Sequence, residues 1–209
     1  MPRQQVPVKR LGRPKDVASA ETRERLLCIA RRVFAREGYA ATTNKVIAEG
    51  VGITTGAIYH YYPSKAELFA AVAEQVEQIV DRAFEQAIAP HDTLVDRFVA
   101  VLDAAVEMNR HDPSITGFIA SVPAEARRHP DLRRLLRATR PDAPFLRRLA
   151  VDAAARGELR PDVSVRALED LLTAVLAGLA LYGDLRGGPE RHAAAVAMLK
   201  RVLDGTLMA

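Results

Sequence analysis

The chain has no tryptophan, one cysteine, and only 5 tyrosines and 6 phenylalanines among its 209 residues. A single cysteine, Cys28, excludes an internal disulfide framework and a cysteine-built metal site. Its place inside a helical pattern reads as an inert packed thiol, with a redox sensor as the alternative. No run of about 18 apolar residues is present, and even the alanine-rich stretch from Leu171 to Tyr182 is too short to span a bilayer. The N-terminal segment also lacks a hydrophobic signal, so the expectation is a cytoplasmic protein without a membrane partner. The histidines His60, His91, His111, His129 and His192 fall near helix ends or loops, none in a metal-ligand spacing. His111 and Asp112 read as turn and cap residues. A nucleophile elbow, a phosphate loop and a dinucleotide fingerprint are missing too. The expectation is therefore no enzyme, no catalytic residues, no metal and no cofactor.

Alternating strand patterns of useful length and internal repeats are likewise lacking, which leaves an all-α fold of about nine helices. Charge is unevenly placed along it. Residues 1–65 carry 12 Lys and Arg against 5 Asp and Glu, net +7, whereas the remainder is net −3, within a total of +4. Such asymmetry points to attraction of a polyanion at one end of the molecule.

What is present is concentrated in residues 42–69, TTNKVIAEGVGITTGAIYHYYPSKAELF. Thr43 is placed to cap a helix from Asn44 to about Gly50, with Ile47 and Val51 four apart on one face. Gly52 supplies backbone freedom just past that helix, and Ile53 turns the chain inward. Thr54 is placed to cap a second helix whose inward residue is Ile58, leaving Thr55, Gly56, Tyr59 and His60 outward. Pro63 ends it by biasing Tyr62 away from helical geometry. Ser64 and Glu67 then form an S-x-x-E capping box ahead of Leu68 and Phe69. This is the grammar of a helix-turn-helix. Thr55 and Tyr59 offer hydroxyls, Gly56 permits close backbone approach, and Ala57 can meet a thymine methyl. Lys65 and the free amides beside it can hold a phosphate.

From Thr22 to about Phe69 the chain resembles the TetR-type transcriptional regulators. The resemblance rests on Phe34, Gly38, Tyr39, Thr42, Thr43, Ile47, Ala48, Gly52, Ile53, Gly56, Ile58, Tyr59, Tyr61, Tyr62, Ser64, Lys65 and Leu68. Gly50 departs from it, the family more often having alanine there, and so does Tyr62, where phenylalanine is usual. Glycine at position 50 is expected to loosen the helix end by up to ~1 kcal/mol. The resemblance implies base-edge contacts from Thr55, Gly56, Ala57 and Tyr59, and phosphate contacts from Thr43, Asn44, Lys45, Thr54, His60, Tyr61 and Lys65. It implies a homodimer on double-stranded DNA at an inverted-repeat operator, most often a repressor, nucleoid-associated when bound. The alternatives are a non-specific DNA-packaging protein and, further off, a helical enzyme.

Upstream, Thr22 to Glu37 reads as a supporting helix with Leu26, Leu27, Ala30, Val33 and Phe34 inward; Arg23, Arg31, Arg32 and Arg36 read as a solvated face, and Gly38 terminates it. Residues 1–20 read as a flexible basic arm. Arg10, Arg13 and Lys15 suit either entry into the minor groove or a merely flexible tail. The helix-turn-helix domain is then 21–67, with its motif at 43–62, and a helical ligand-binding and dimerisation domain occupies 68–209.

In that second domain, helices are expected from Ser64 to about Ala89 and from about Thr93 to Arg110. Prolines at 113, 123, 130, 141 and 144 are expected to cut the middle into Ile115–Ser121, Asp131–Thr139 and Phe145–Arg156. Two long helices, Ser164–Leu185 and Pro189–Leu207, should close the chain. Their apolar residues Leu168, Leu172, Val175, Leu179, Val196, Leu199 and Leu203 are the candidate dimer interface, forming a four-helix contact with a two-fold partner, with burial wholly within the monomer as the alternative. The resemblance implies a small apolar or amphipathic ligand among the middle helices, and Phe98, Met108, Phe118, Phe145 and Tyr182 are candidate lining residues, with plain core as the alternative.

Overall fold

The computed structural model describes residues 15–138, 144–186 and 188–208, which form ten helices and no strand among the described residues. The first, α1 (Lys15–Ala41), starts seven residues before the expected Thr22. Residues 15–20, expected in a flexible arm, are helical, and Ala20 suits that state. Arg10 and Arg13 lie outside the described residues, and Lys15 is the first residue of the helix. Gly38 does not end α1 outright. It kinks it, with φ 77° and ψ 167°, a backbone region open chiefly to glycine, and one further turn follows.

Helices α2 (Asn44–Val51), α3 (Thr55–Tyr61) and α4 (Lys65–Ile88) follow, each with its expected cap. Thr43 accepts from the Val46 N–H, Thr54 from the Ala57 N–H and Ser64 from the Glu67 N–H, each satisfying an orphan donor of the first turn. The reciprocal half of the expected capping box is not made through Glu67 Oε2, which is buried without a hydrogen bond. Beyond α5 (Leu94–His111), the middle of the chain is less broken than the prolines suggested. α6 runs from Pro113 to Arg128 with Pro123 inside it. Pro113 and Asp112 open that helix in the favoured way, with proline in the first turn and Asp112 capping, so the interior proline costs one backbone bond without ending it. α7 (Pro130–Ala138), α8 (Phe145–Ala155), α9 (Val165–Arg186) and α10 (Gly188–Leu203) complete the fold. α10 stops at Leu203, short of the expected Leu207, because the chain turns back there: the N–H of Thr206 reaches the carbonyl of Arg201 at 2.8 Å and that of Gly205 the carbonyl of Val202 at 3.2 Å.

Two apolar cores hold these helices. One joins Leu26, Ala30, Phe34, Ile47, Ile58, Leu68, Phe69 and Val72 of α1–α4 to Ile115 and Phe118 of α6 and Leu132 of α7. At its centre Phe34 meets Phe69 at 4.9 Å between ring centroids, and Phe69 meets Phe118 at 4.7 Å. Each such ring pair adds about 0.5–1.5 kcal/mol to its area burial. The motif-bearing unit therefore shares its core with α6 and α7 and is not a separate bead. The second core gathers Phe84, Phe98, Val101, Leu102, Phe145, Leu149, Leu172 and Val196.

Candidate nucleic-acid interface

The turn between α2 and α3 is set by Gly52, whose φ of 77° and ψ of 36° place it in the left-handed region. Its N–H bonds the carbonyl of Ala48 at 2.9 Å, and that of Ile53 bonds the same carbonyl at 3.0 Å. Ile47, Val51 and Ile58 are thereby driven into the core. The opposite sides of the two helices are left to solvent.

On α3, Gly56 and His60 are exposed, Thr55 and Ala57 half-buried, and Tyr59 is 52% exposed. The ring and its hydroxyl are thereby open to a partner, and this helix lies in the basic part of the chain. Thr43 and Lys45 are exposed at the start of α2, as is Thr54 before α3. Val46, which sequence reasoning passed over, joins them at 42% exposure, and its signal was an apolar β-branched residue beside inward Ile47 on an amphipathic helix.

Three of the expected phosphate contacts are tied inward. Asn44 is buried with Oδ1 unpaired by any hydrogen bond. Tyr61 is half-buried and its hydroxyl lies 3.2 Å from Ser19 Oγ of α1. Lys65 spends its ammonium on the frayed end of α1: Nζ donates to the carbonyls of Tyr39 at 2.7 Å, Thr42 at 2.8 Å and Ala40 at 3.4 Å. It also sits 4.5 Å over the Tyr39 ring. Burial lowers its pKa, and the Glu125 carboxylate partly offsets this. A lysine at the terminal carbonyls of one helix and the first turn of another is a staple between them.

Two other residues behave differently from their sequence reading. Arg31, expected on a solvated face, is 4% exposed and donates from Nη2 to Asp112 and from Nε to Ser114 Oγ at 3.1 Å. Asp112 caps α6 as expected of it, so α1 grips the start of α6. Gly50 is a close-approach residue: a Cβ there would stand 2.9 Å from Ile29 Cγ2 of α1.

The candidate pocket residues do not converge. Phe118 is fully buried in the core shared with α1 and α4, Phe98 and Phe145 belong to the second core, Met108 packs against both, and Tyr182 is 37% exposed. A hollow of about 370 Å³ does open between α4 and α8. Phe145 lines it with Ile88 and Leu149, beside the charges of Arg147, Arg148 and Asp152.

The candidate dimer residues also turn inward. Leu172 and Val196 are buried in the protomer's own core, and Leu168, Val175, Leu179 and Leu199 pack against it; Leu203 alone is exposed. The stripe left outside α9 is Leu171, Ala174, Gly178 and Leu181, with Leu171 58% exposed. Met198 and Val202 do the same on α10. Both stripes were apolar at helical spacing in the sequence, and only packing separates them.

Comparison with known proteins places this geometry. Residues 26–72 match the family model described as bacterial regulatory proteins, tetR family, and residues 94–208 match that of the BetI-type transcriptional repressor C-terminal domain. The nucleoid occlusion factor SlmA of Actinobacillus pleuropneumoniae is 26% identical over 103 residues, covering 49% of this chain and 51% of that protein, so the chain spans about half the length of this relative. The HTH-type transcriptional regulator UidR of Escherichia coli K12 is 27% identical over 166 residues, covering 76% of this chain and 81% of UidR. Among solved structures, GusR of Salmonella enterica superposes with a TM-score of 0.69 at 25% identity, covering 95% of this chain and 99% of GusR. Among the described residues no helix is long and apolar enough to cross a membrane. The capped helix pair, the all-helical body behind it and both family matches agree, and the chain belongs to the TetR family of DNA-binding transcriptional regulators.

Proposed function

We propose that the protein is a homodimeric, cytoplasmic repressor that binds an inverted-repeat operator and is released from it by a small amphipathic ligand. The observation that carries the DNA-reading part is the outward side of α3, where Thr55, Gly56, Ala57 and Tyr59 stand on a helix capped at both ends and set at a fixed turn from α2. Hydroxyls, a bare backbone and a methyl on a rigid helix can read base edges in a major groove. Lys45, Thr43, Thr54 and His60 hold the flanking backbone, which positions the helix without specifying sequence.

The dimer forms through the exposed stripe of α9 and α10. Leu171, Ala174, Gly178 and Leu181 recur at spacings of three, four and three, a seam that a second copy related by a two-fold axis covers. Two recognition helices then meet successive major grooves roughly 34 to 36 Å apart. The ligand occupies the hollow between α4 and α8, its apolar body against Ile88, Phe145 and Leu149 and its charged end toward Arg147. Arg148 is already bonded to Glu85 at 2.7 Å, so a ligand there competes with a contact between α4 and α8. It shifts the population of reading-competent dimer by its differential affinity and no more.

Competition between the chain's own upstream DNA and random DNA at fixed salt tests this function. A specific regulator prefers the former by about 10³-fold or more; equal affinity for both would instead make it a packaging protein that binds by charge alone.

A further inference from the structure

Glu125 lies near the end of α6 and is 8% exposed, a burial that a carboxylate tolerates only with partners. It has few. Oε1 accepts from the Tyr39 N–H at 3.4 Å; Oε2 is buried without a hydrogen bond and lies 3.5 Å from His129 Nε2. The kink at Gly38 and Tyr39 is thus held from two sides. α4 supplies Lys65, bonded to the Tyr39 carbonyl and lying over its ring, while α6 supplies Glu125 on its N–H and His129 edgewise on its ring at 4.8 Å.

We propose that Glu125 is a positioning residue for DNA recognition, holding the Gly38–Tyr39 kink through the Tyr39 N–H so that α6 sets where the helix-turn-helix stands. This rests on the chain being a DNA-reading regulator and adds the route by which its second domain governs the reader. An apolar side chain of similar volume would serve stability as well as a partly satisfied carboxylate or better. What the carboxylate adds is direction. It ties α6 to one backbone donor five residues before α2 begins, so a shift of α6 moves the kink with it.

The test measures amide exchange at Tyr39 and binding to the chain's own upstream DNA in the full-length wild type, Glu125→Gln and Glu125→Leu. Glutamine keeps an oxygen facing the Tyr39 N–H, while leucine fills the space without an acceptor. Leaving a buried donor unpaired weakens a local equilibrium by about tenfold or more. The leucine variant is therefore expected to exchange the Tyr39 amide about tenfold faster and bind DNA about tenfold more weakly, with protection in α9 and α10 unchanged. The glutamine variant restores both readings to within about threefold of wild type. Unchanged Tyr39 exchange in a folded leucine variant overturns the proposal, as does a glutamine variant impaired as badly as leucine. Should Glu125→Leu lose protection in α9 and α10, Glu125→Asp takes its place; one methylene short of the amide, it must show the same two losses. Wild-type preference for upstream over random DNA is scored separately. Its absence counts against the reading of the chain as a regulator, and the exchange results still decide whether Glu125 holds the kink.

Discussion

Arg31 and Asp112 are 81 residues apart in the chain, yet Arg31 Nη2 donates to Asp112 Oδ2 at 2.5 Å, joining the middle of α1 to the N-cap of α6. Ser114 completes the contact, its hydroxyl accepting from Arg31 Nε and its N–H donating to Asp112 Oδ1. Burial raises the Asp112 pKa, but the Ser114 hydroxyl, the Arg31 guanidinium, the Ser114 N–H and Arg32 outweigh it and leave the carboxyl below its usual 3.8. A depressed carboxylate contributes stability that is complete above the unfolded pKa and is lost as pH falls through the folded one. Asp112→Asn is therefore expected to lower stability by about 1–3 kcal/mol at neutral pH. Urea unfolding from pH 7 downward should show that gap hold to about pH 4 and close below it. A gap that stays constant into acid would show that the charge of Asp112 is not what joins the helices.

Gly50 looks improvable by helix propensity, alanine being favoured there by up to about 1 kcal/mol. The structure predicts the reverse. A methyl at position 50 meets the Ile29 Cγ2 at 2.9 Å, and the β-branched side chain has little room to yield. Gly50→Ala should cost about 1–3 kcal/mol through overpacking, and removing the obstructing methyl with Ile29→Ala should show favourable coupling in a double-mutant cycle. A raised Tm in Gly50→Ala alone would contradict this.

Lys65 and Lys45 separate stapling from phosphate contact. Lys65 already serves the carbonyls of Tyr39, Ala40 and Thr42, whereas Lys45 is exposed at the start of α2. Lys45→Ala should weaken binding to all sequences and reduce the salt slope of log K by about 1. Lys65→Ala should lower Tm and affinity with the slope nearly unchanged. If the slope falls for Lys65→Ala as it does for Lys45→Ala, Lys65 also meets phosphate in the complex.

The two stripes of α9 predict opposite outcomes for the same substitution. Leu171→Glu places a charge on the exposed stripe and should give a folded monomer by sedimentation, with DNA affinity lost along with the paired reading heads. Leu172→Glu buries a charge in the protomer's own core and should unfold it. A dimeric Leu171→Glu protein would place the interface elsewhere.

These contrasts show which parts of the molecule were legible in the sequence. The caps Thr43, Thr54 and Ser64 and the turn at Gly52 are local chemistry, settled by one side chain and a backbone donor within three residues, and they stand where the spacing put them. The outward face of α3 followed from them. Arg31 was illegible because its partner is 81 residues away and an arginine between apolar positions looks the same whether solvated or paired. Leu168, Leu172 and Val175 could not be told from Leu171, Ala174 and Gly178, since both sets have helical spacing and only the neighbours α6, α8 and α10 decide which turns inward. The staple made by Lys65 was illegible for a related reason: the carbonyls it serves lie at a helix end that the sequence placed at Gly38, three residues before the true one. Pro123 was given too much weight, a single lost backbone bond being tolerable where the helix is packed along its length.

Tyr59 is the aromatic ring that α3 holds 52% exposed at the centre of its outward face. The decisive measurement is the ratio of affinities for the chain's own upstream DNA and for random DNA, at one salt concentration, in wild type and Tyr59→Ala. Loss of a base-edge contact should lower the specific affinity by about 1–3 kcal/mol and leave the random-DNA affinity nearly unchanged, so that the ratio collapses. A Tyr59→Ala protein with the wild-type ratio would contradict the assignment of α3 as the reading helix.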